Sequence, residues 1–343
     1  MKAAFTLLRI TLFALVVLAF VFPPPAAAES QYGSQIQRAV SYMESHYVHS
    51  VGLIYESEDP GAHWLKRAEY PDYQWNFNQT FWLYSDNLFA AYALSPFNQA
   101  LALAINRTIN SYHLPFSNKF EAIIGRPVGV DRLPRDVLLR GLGFAVLYRI
   151  HDGALGDVLL WSADTAVYAA LSSYYLGHFE QARAIITHLA SLWNGTCLVD
   201  ATITEKRLLP PSNAATDHGF CPTFKVALLL YAARVTGASI PNFAQLEAYV
   251  WTRQQPNGGI TTLNDGHGNA LGSANSETTA LTLLVYNEAL ISKLHNVSLK
   301  SVIATSSLLA PISKDQIALA TWLSTFFILG IYLKRRRPDR FKD

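Results

Sequence analysis

Asp164-Thr165-Ala166-Val167-Tyr168-Ala169-Ala170-Leu171-Ser172-Ser173-Tyr174-Tyr175-Leu176-Gly177-His178-Phe179-Glu180-Gln181-Ala182-Arg183-Ala184-Ile185-Ile186-Thr187-His188 is the stretch from which the architecture can be read. From Ala166 to Leu176 the chain is apolar nearly all round, which marks a helix buried on every side. From Glu180 to His188 apolar and charged positions alternate at helical spacing, which marks a helix with one wet face. Gly177 breaks the pattern between them. The unit is therefore a helical hairpin with an inner and an outer arm.

The same unit recurs outward in both directions. Ile36, Ala39, Val40 and Met43 form one stripe, and others run through Leu83–Leu94, Gln99–Ile109, Thr165–Tyr175, Phe179–Trp193, Thr223–Val235, Phe243–Trp251 and Thr278–Ile291. Ser95-Pro96 and Gly237–Pro241 are further breakers, Ala227–Ala233 is a second all-apolar arm, and Gln245–Arg253 a second amphipathic one. Inner and outer arms repeated around an axis predict a mainly α fold, an α/α toroid, whose ring these eight helices need not close. Between Phe120 and Leu160 the rhythm lapses. Glu121–Ile124, Asp136–Leu139, Phe144–Ile150 and Val158–Trp161 read as short strands, with His151-Asp152-Gly153 as a turn, and Gly141 and Gly143 speak against a helix there. A small antiparallel β insertion near 118–161 is the expectation.

Three inner arms begin with a carboxylate: Asp86 before Asn87-Leu88-Phe89, Asp164 before Thr165-Ala166, and Glu277 before Thr278-Thr279-Ala280. If the inner helices run in one direction, these groups meet at one mouth. The positive end of a helix dipole favours the ionised form, so such groups suit a base, a nucleophile or a hydroxyl clamp. A proton donor needs an apolar setting or a second carboxylate, and Glu56, next to Tyr55 and near Trp64, is the candidate. Trp64, Trp82 and Tyr84 belong to an aromatic-rich segment on which sugar rings can stack, with Asn87 and Lys225 as polar contacts at the same mouth. The plain alternative is that the carboxylates are helix caps worth roughly 1 kcal/mol each and the aromatics are core.

The run Trp251-Thr252-Arg253-Gln254-Gln255-Pro256-Asn257-Gly258-Gly259-Ile260, followed by Asn275-Ser276-Glu277-Thr278-Thr279-Ala280-Leu281, resembles the repeat of the α/α-toroid superfamily. That superfamily includes terpenoid cyclases, prenyltransferase β-subunits and six-hairpin glycosidases. In its cyclase-like branch a Gln-x-x-x-Gly-Gly turn leads from an outer helix toward the next inner one. The chain as a whole also resembles a group of archaeal cell-surface proteins, which implies no activity. Cyclase chemistry would need an Asp-x-Asp-Asp acid or a diphosphate-binding Asp cluster, and neither is in the chain. The glycosidase branch implies a pair of carboxylates, one donating a proton and one acting as base or nucleophile, and a polysaccharide lyase could use a similar arrangement.

The ends of the chain suggest where it works. Lys2 and Arg9, the apolar run Ile10–Phe22 and Ala26-Ala27-Ala28 read as a signal peptide, 1–28, ahead of an extracytoplasmic domain at 29–300. After a spacer at 301–316, residues 317–333 form an uncharged run of roughly 17 residues, at the low edge of a membrane span. Lys334-Arg335-Arg336-Arg337 opens a basic tail, 334–343, that the positive-inside rule keeps in the cytoplasm. The expectation is a single-pass type I cell-membrane protein with its bulk outside. Asn78, Asn106, Asn194 and Asn296 head glycosylation sequons. Cys197 and Cys221, the only cysteines, would pair in an oxidising compartment, although His218 leaves a zinc site open as the competing reading.

Lys and Arg number 27 against 25 Asp and Glu, a balance that points away from nucleic acid. No phosphate loop, Gly-x-Ser-x-Gly elbow or His-Glu-x-x-His motif appears, and Asn264–Asn269 fails the spacing of a calcium loop, so neither cofactor nor metal is expected. The functional expectation is a membrane-anchored, carbohydrate-active surface protein, a glycoside hydrolase or polysaccharide lyase. The alternative is a non-catalytic surface protein that binds a glycan or an envelope partner.

Overall fold

The structure is a computed structural model that describes residues 31–56, 82–114, 119–127, 132–139, 146–154, 162–200, 221–264 and 269–296. The signal segment, Trp64, Asn78, the spacer, the span at 317–333 and the basic tail lie outside the described residues. Among the described residues no helix is long and apolar enough to cross a membrane.

Among the described residues the fold is mainly helical, with three small sheets. In chain order the elements are α1 (Gly33–Ser45), β1 (Tyr47–Val48), β2 (Leu53–Ile54), β3 (Trp82–Leu83), α2 (Tyr84–Ala93), α3 (Gln99–Asn110), a 3-10 turn (Lys119–Ile124), β4 (Arg132–Leu139) and β5 (Val146–Ala154). There follow α4 (Ala163–Tyr175), α5 (Phe179–Ser191), α6 (Thr223–Thr236), α7 (Phe243–Trp251), β6 (Ile260–Asn264), β7 (Ala270–Asn275) and α8 (Ser276–Leu284). A ninth helix, α9, covers residues 288–296.

Burial separates two sets of helices. In α6 every residue from Lys225 to Ala233 is buried, and α2, α4 and α8 are likewise enclosed on most sides. In α1 only the spaced positions Ile36, Ala39, Val40, Tyr42 and Met43 are buried, and in α5 only Ala182, Ile186, Leu189 and Ala190. The enclosed helices pack on one another in the order α2, α8, α6, α4, and the 3-10 turn touches both α4 and α2. The amphipathic helices lie outside them: α1 on α8, α3 on α2, α5 on α4 and α6, and α7 on α6. A chain whose apolar arms all bury against each other removes the most apolar surface from water, at roughly 25 cal/mol per Å².

The Gln254–Gly259 turn ties this arrangement together. Gln254 Nε2 donates to Gln35 O at 2.7 Å and to Gly258 O at 2.8 Å, and Arg38 donates to Gln254 Oε1. Gly258 has φ +96°, and a Cβ there would lie 2.2 Å from Arg38 O. At Gly259 a Cβ would meet the Tyr42 ring at 2.5 Å. Only glycine lets α1 approach this closely.

Three expectations need correction. Glu121–Ile124 is not a strand but part of the 3-10 turn, because Glu121, Ala122 and Ile123 are buried consecutively and no alternating face exists. His151-Asp152-Gly153 does not turn the chain; β5 runs through it to Ala154, and a register shift opposite Arg132/Pro134 absorbs the extra residues. The helix expected over Thr278–Ile291 breaks at Asn287. Its Nδ2 donates to Tyr92 O at 2.7 Å while its Oδ1 accepts from Leu290 N at 3.0 Å, so it caps a new helix and pins it to α2. β4 and β5 do form an antiparallel hairpin, and β3 joins β5 in parallel.

Candidate functional site

The starts of α2, α4, α6 and α8 are linked at one end of the bundle by side-chain bonds. Thr262 and Thr278 hydroxyls meet at 2.6 Å, Asn264 Nδ2 donates to Thr223 Oγ1 at 3.3 Å, and the Tyr84 hydroxyl donates to Glu121 Oε1 at 3.4 Å. Lys119 and Lys225 complete the circuit through Asp164 and Asp200. The ionisable groups described at this end fall into two halves, with Glu121 and Arg126 between them.

The first half is acidic. The chain leaves β2 through Tyr55 and Glu56 and is stitched to the start of α8: Ser276 N donates to Glu56 O at 2.8 Å, and Ser276 Oγ to Tyr55 O at 2.8 Å. Asn275 Nδ2 donates to Glu56 Oε1 at 3.1 Å. Glu56 is half-buried as a residue while its carboxyl group is enclosed. That enclosure, then the charge of Glu277, pushes the carboxyl up to about 8, against the pull of the Asn275 bond. Asp86 lies at the floor, 1% exposed. Burial raises it well above the ordinary carboxylate range, and the charges of Glu277 and Glu56 act in the same direction. Its Oδ1 accepts from Ser85 Oγ at 3.1 Å, whereas Oδ2 has no hydrogen-bond partner among the described residues. Enclosure and mutual repulsion in this half favour the protonated forms of Glu56 and Asp86.

The second half is ion-paired. Lys119 Nζ donates to Asp164 Oδ2 at 2.7 Å and to Thr165 Oγ1 at 3.2 Å, and Ser162 Oγ donates to Asp164 Oδ1. Burial alone would raise Asp164, but the Lys119 and Lys225 charges and these bonds hold it well below the usual range. Asp200 Oδ2 accepts from Lys225 Nζ at 3.0 Å and from Ala163 N at 2.7 Å, with both side chains 2% exposed. The Cys197–Cys221 disulfide anchors the segment that delivers Asp200. Between the halves, Glu121 is raised by burial, offset by Arg126, whose Nη1 donates to it at 2.9 Å.

The structure thus brings Glu56, Asp86 and Glu277 together and sets Asp164 and Lys225 across from them. Asp86, Asp164 and Glu277 are not the capping residues of their helices. The N-caps are Leu83, Ser162 and Asn275, of which only Asn275 caps with its side chain, to Thr278 N at 3.0 Å. Asn87, expected as a substrate contact, has its amide committed: Oδ1 accepts from Ile54 N at 2.7 Å, and Nδ2 donates to Ile54 O at 3.0 Å and Leu83 O at 2.9 Å. Its work is to hold β2, and so Glu56, against α2. Trp82 and Tyr84 are buried.

Lys119, Glu121, Asp200 and Asn275 were not singled out from the sequence. Asn275 alone had a local signal, as Asn-Ser-Glu-Thr ahead of an apolar run. Of the sequons, Asn194 is exposed in a turn, Asn106 is half-buried within α3 and Asn296 is exposed at the end of α9. Among the described residues no group of three or more His, Cys, Asp or Glu side chains is arranged to hold a metal ion. No family model, curated protein or solved structure matches the chain.

Proposed function

We propose that the chain is a membrane-anchored, carbohydrate-active enzyme of the cell exterior, built as an α/α toroid whose inner helices α2, α4, α6 and α8 start at the catalytic mouth. Glu56 is the general acid in this reading, and Glu277 is the base or nucleophile. The observation that carries it is the convergence of Glu56, Asp86 and Glu277, from three chain segments, with Glu56 protonated near neutral pH. Glycosidic bond cleavage needs one carboxylic acid and one carboxylate on opposite sides of the bond. Enclosure, then the charge of Glu277, keeps the proton on the acid. The disulfide supports an oxidising compartment, in keeping with export by the segment at 1–28 and anchoring by 317–333.

A second reading has its own support. The pairing of Asp164 with Lys119 and the use of Asn87 to hold β2 show how much of the mouth serves the fold. A non-catalytic glycan- or envelope-binding protein would have the same features.

The test incubates the purified chain, and its Glu56→Gln and Glu277→Gln variants, with a panel of polysaccharides. New reducing ends, or unsaturated products absorbing in the ultraviolet, are expected from the native chain alone. Binding without turnover in all three chains selects the second reading, and neither binding nor turnover retires both.

A further inference from the structure

We propose that Asn275 is a positioning residue of the acidic half: one amide caps the helix that carries Glu277 and, with its other end, fixes the carboxyl of Glu56. Its role in turnover rests on the reading of Glu56 as proton donor; its role in placing that carboxyl does not.

Asn275 has little freedom of its own. It is the last residue of β7, paired with Ile260, and its extended backbone (φ −133°, ψ 139°) turns directly into α8. Its carbonyl accepts from Thr279 Oγ1 at 2.7 Å. The side-chain Oδ1 is held by Thr278 N at 3.0 Å, which leaves Nδ2 aimed at Glu56 Oε1, 3.1 Å away. The Glu56 backbone is fixed by Ser276. What remains mobile is the Glu56 side chain, and Asn275 removes that freedom. An amide can do this where Ser, Thr or Asp cannot, because it alone joins a cap acceptor to a donor in one planar group.

The bond also bears on the Glu56 proton. A donor to a carboxyl stabilises its ionised form, so Asn275 opposes the enclosure and the Glu277 charge that hold the proton on. Among the described residues, the titratable carboxyls that interact electrostatically with Glu56 are Glu277 on α8 and Asp86 on α2. On the α1 side the His46 ring lies over Tyr55, with centroids 4.3 Å apart.

Asn275→Asp keeps a cap acceptor, is isosteric, and replaces the donor by a carboxylate oxygen; Asn275→Ser keeps the cap and cannot reach Glu56. The experiment follows the Glu56 carboxyl by infrared difference spectroscopy of the full chain from pH 5 to 10, assigned by its loss in Glu56→Gln. Losing a bond to a charged group raises the midpoint by about one to two units in Asn275→Ser, and Asn275→Asp raises it further because its carboxylate adds a like charge beside Glu56. If polysaccharide turnover is found, kcat falls and its alkaline limb, which a general acid sets, moves with that midpoint, while KM holds. A Glu56 midpoint unchanged in the isosteric variant overturns the proposal. A midpoint that moves in a chain without turnover retires the carbohydrate reading and leaves the positioning role standing.

Discussion

Asp86 and Asp164 stand at the third and second residue of two enclosed helices, in sequence settings that look alike, and their proton affinities are shifted in opposite directions. Asp86 is raised well above the ordinary range and Asp164 is pushed below it. Both sit at the positive end of a helix, so the dipole does not separate them. Burial does not separate them either, since it acts on both carboxyls in the same direction. The difference is the neighbour: Glu277 and Glu56 face Asp86, whereas Lys119 and Lys225 face Asp164. The same helix-start carboxylate is driven toward its protonated form in one half of this end of the bundle and held as an ion-paired anion in the other.

The strongest way to break this comparison is to strand an anion in the paired half. Lys225 and Asp200 are each 2% exposed, and Lys225→Met leaves the Asp200 carboxylate buried without that ammonium. Removing one partner of a buried pair costs about 3 to 5 kcal/mol. Urea unfolding of Lys225→Met is expected to show a loss of that size. A loss below about 1 kcal/mol, the range of a solvated surface pair, would mean that this half is not locked by ion pairing.

The disulfide tests the same half from its covalent side. It spans 24 residues and fixes the segment that presents Asp200. Replacing both cysteines by Ala is expected to cost about 3 kcal/mol. Adding Lys225→Met to the double variant should cost less than the two losses summed, since both act through the placement of Asp200. Strict additivity would show that the disulfide and the ion pair are independent.

How far all this could be read beforehand follows from where each signal lies. The boundaries of α3, α6 and α7 are local matters of periodicity and breakers, and the structure places them within a residue or two of the sequence reading. The break at Asn287 was hidden because Thr278–Ile291 keeps an apolar stripe; only contact with Tyr92 O, far back in the chain, shows why the helix stops there. Lys119 lies in a segment that resembles a strand, 45 residues before the carboxylate it neutralises. Asp200 belongs to no periodic element at all. A helix-start carboxylate announces its position along the chain, but its protonation is decided by residues that approach from elsewhere.

Lys119→Met converts one half toward the other. Asp164 would keep its burial and Ser162 bond and lose its nearest cation, so its carboxyl should rise, tracked by carbon NMR of labelled Asp side chains against Asp164→Asn. Lys225 remains to hold it below Asp86. An Asp164 resonance that does not move would assign its low value to the helix start, which the comparison denies.

The smallest effect is the most specific, because the two halves lose stability in opposite directions of pH. Glu56 has its proton affinity raised by folding, from 4.5 to about 8. Its contribution is fully present below about pH 4.5 and is lost as the pH rises through about 8, since the folded state holds the proton that the unfolded state has released. Asp164 has its affinity lowered from 3.8, so its contribution is present above that pH and is lost as the pH falls toward its folded value. Thermal melts across pH should therefore show two separate declines, one as the pH falls below about 3.8 and one as it rises from about 4.5 to about 8. Glu56→Gln reduces only the decline with rising pH, because its amide never ionises. Asp164→Asn flattens only the acid one. If Glu56→Gln left the decline with rising pH intact while Asp86→Asn removed it, the stored proton would belong to Asp86, and the general acid would have to be sought on α2 rather than after β2.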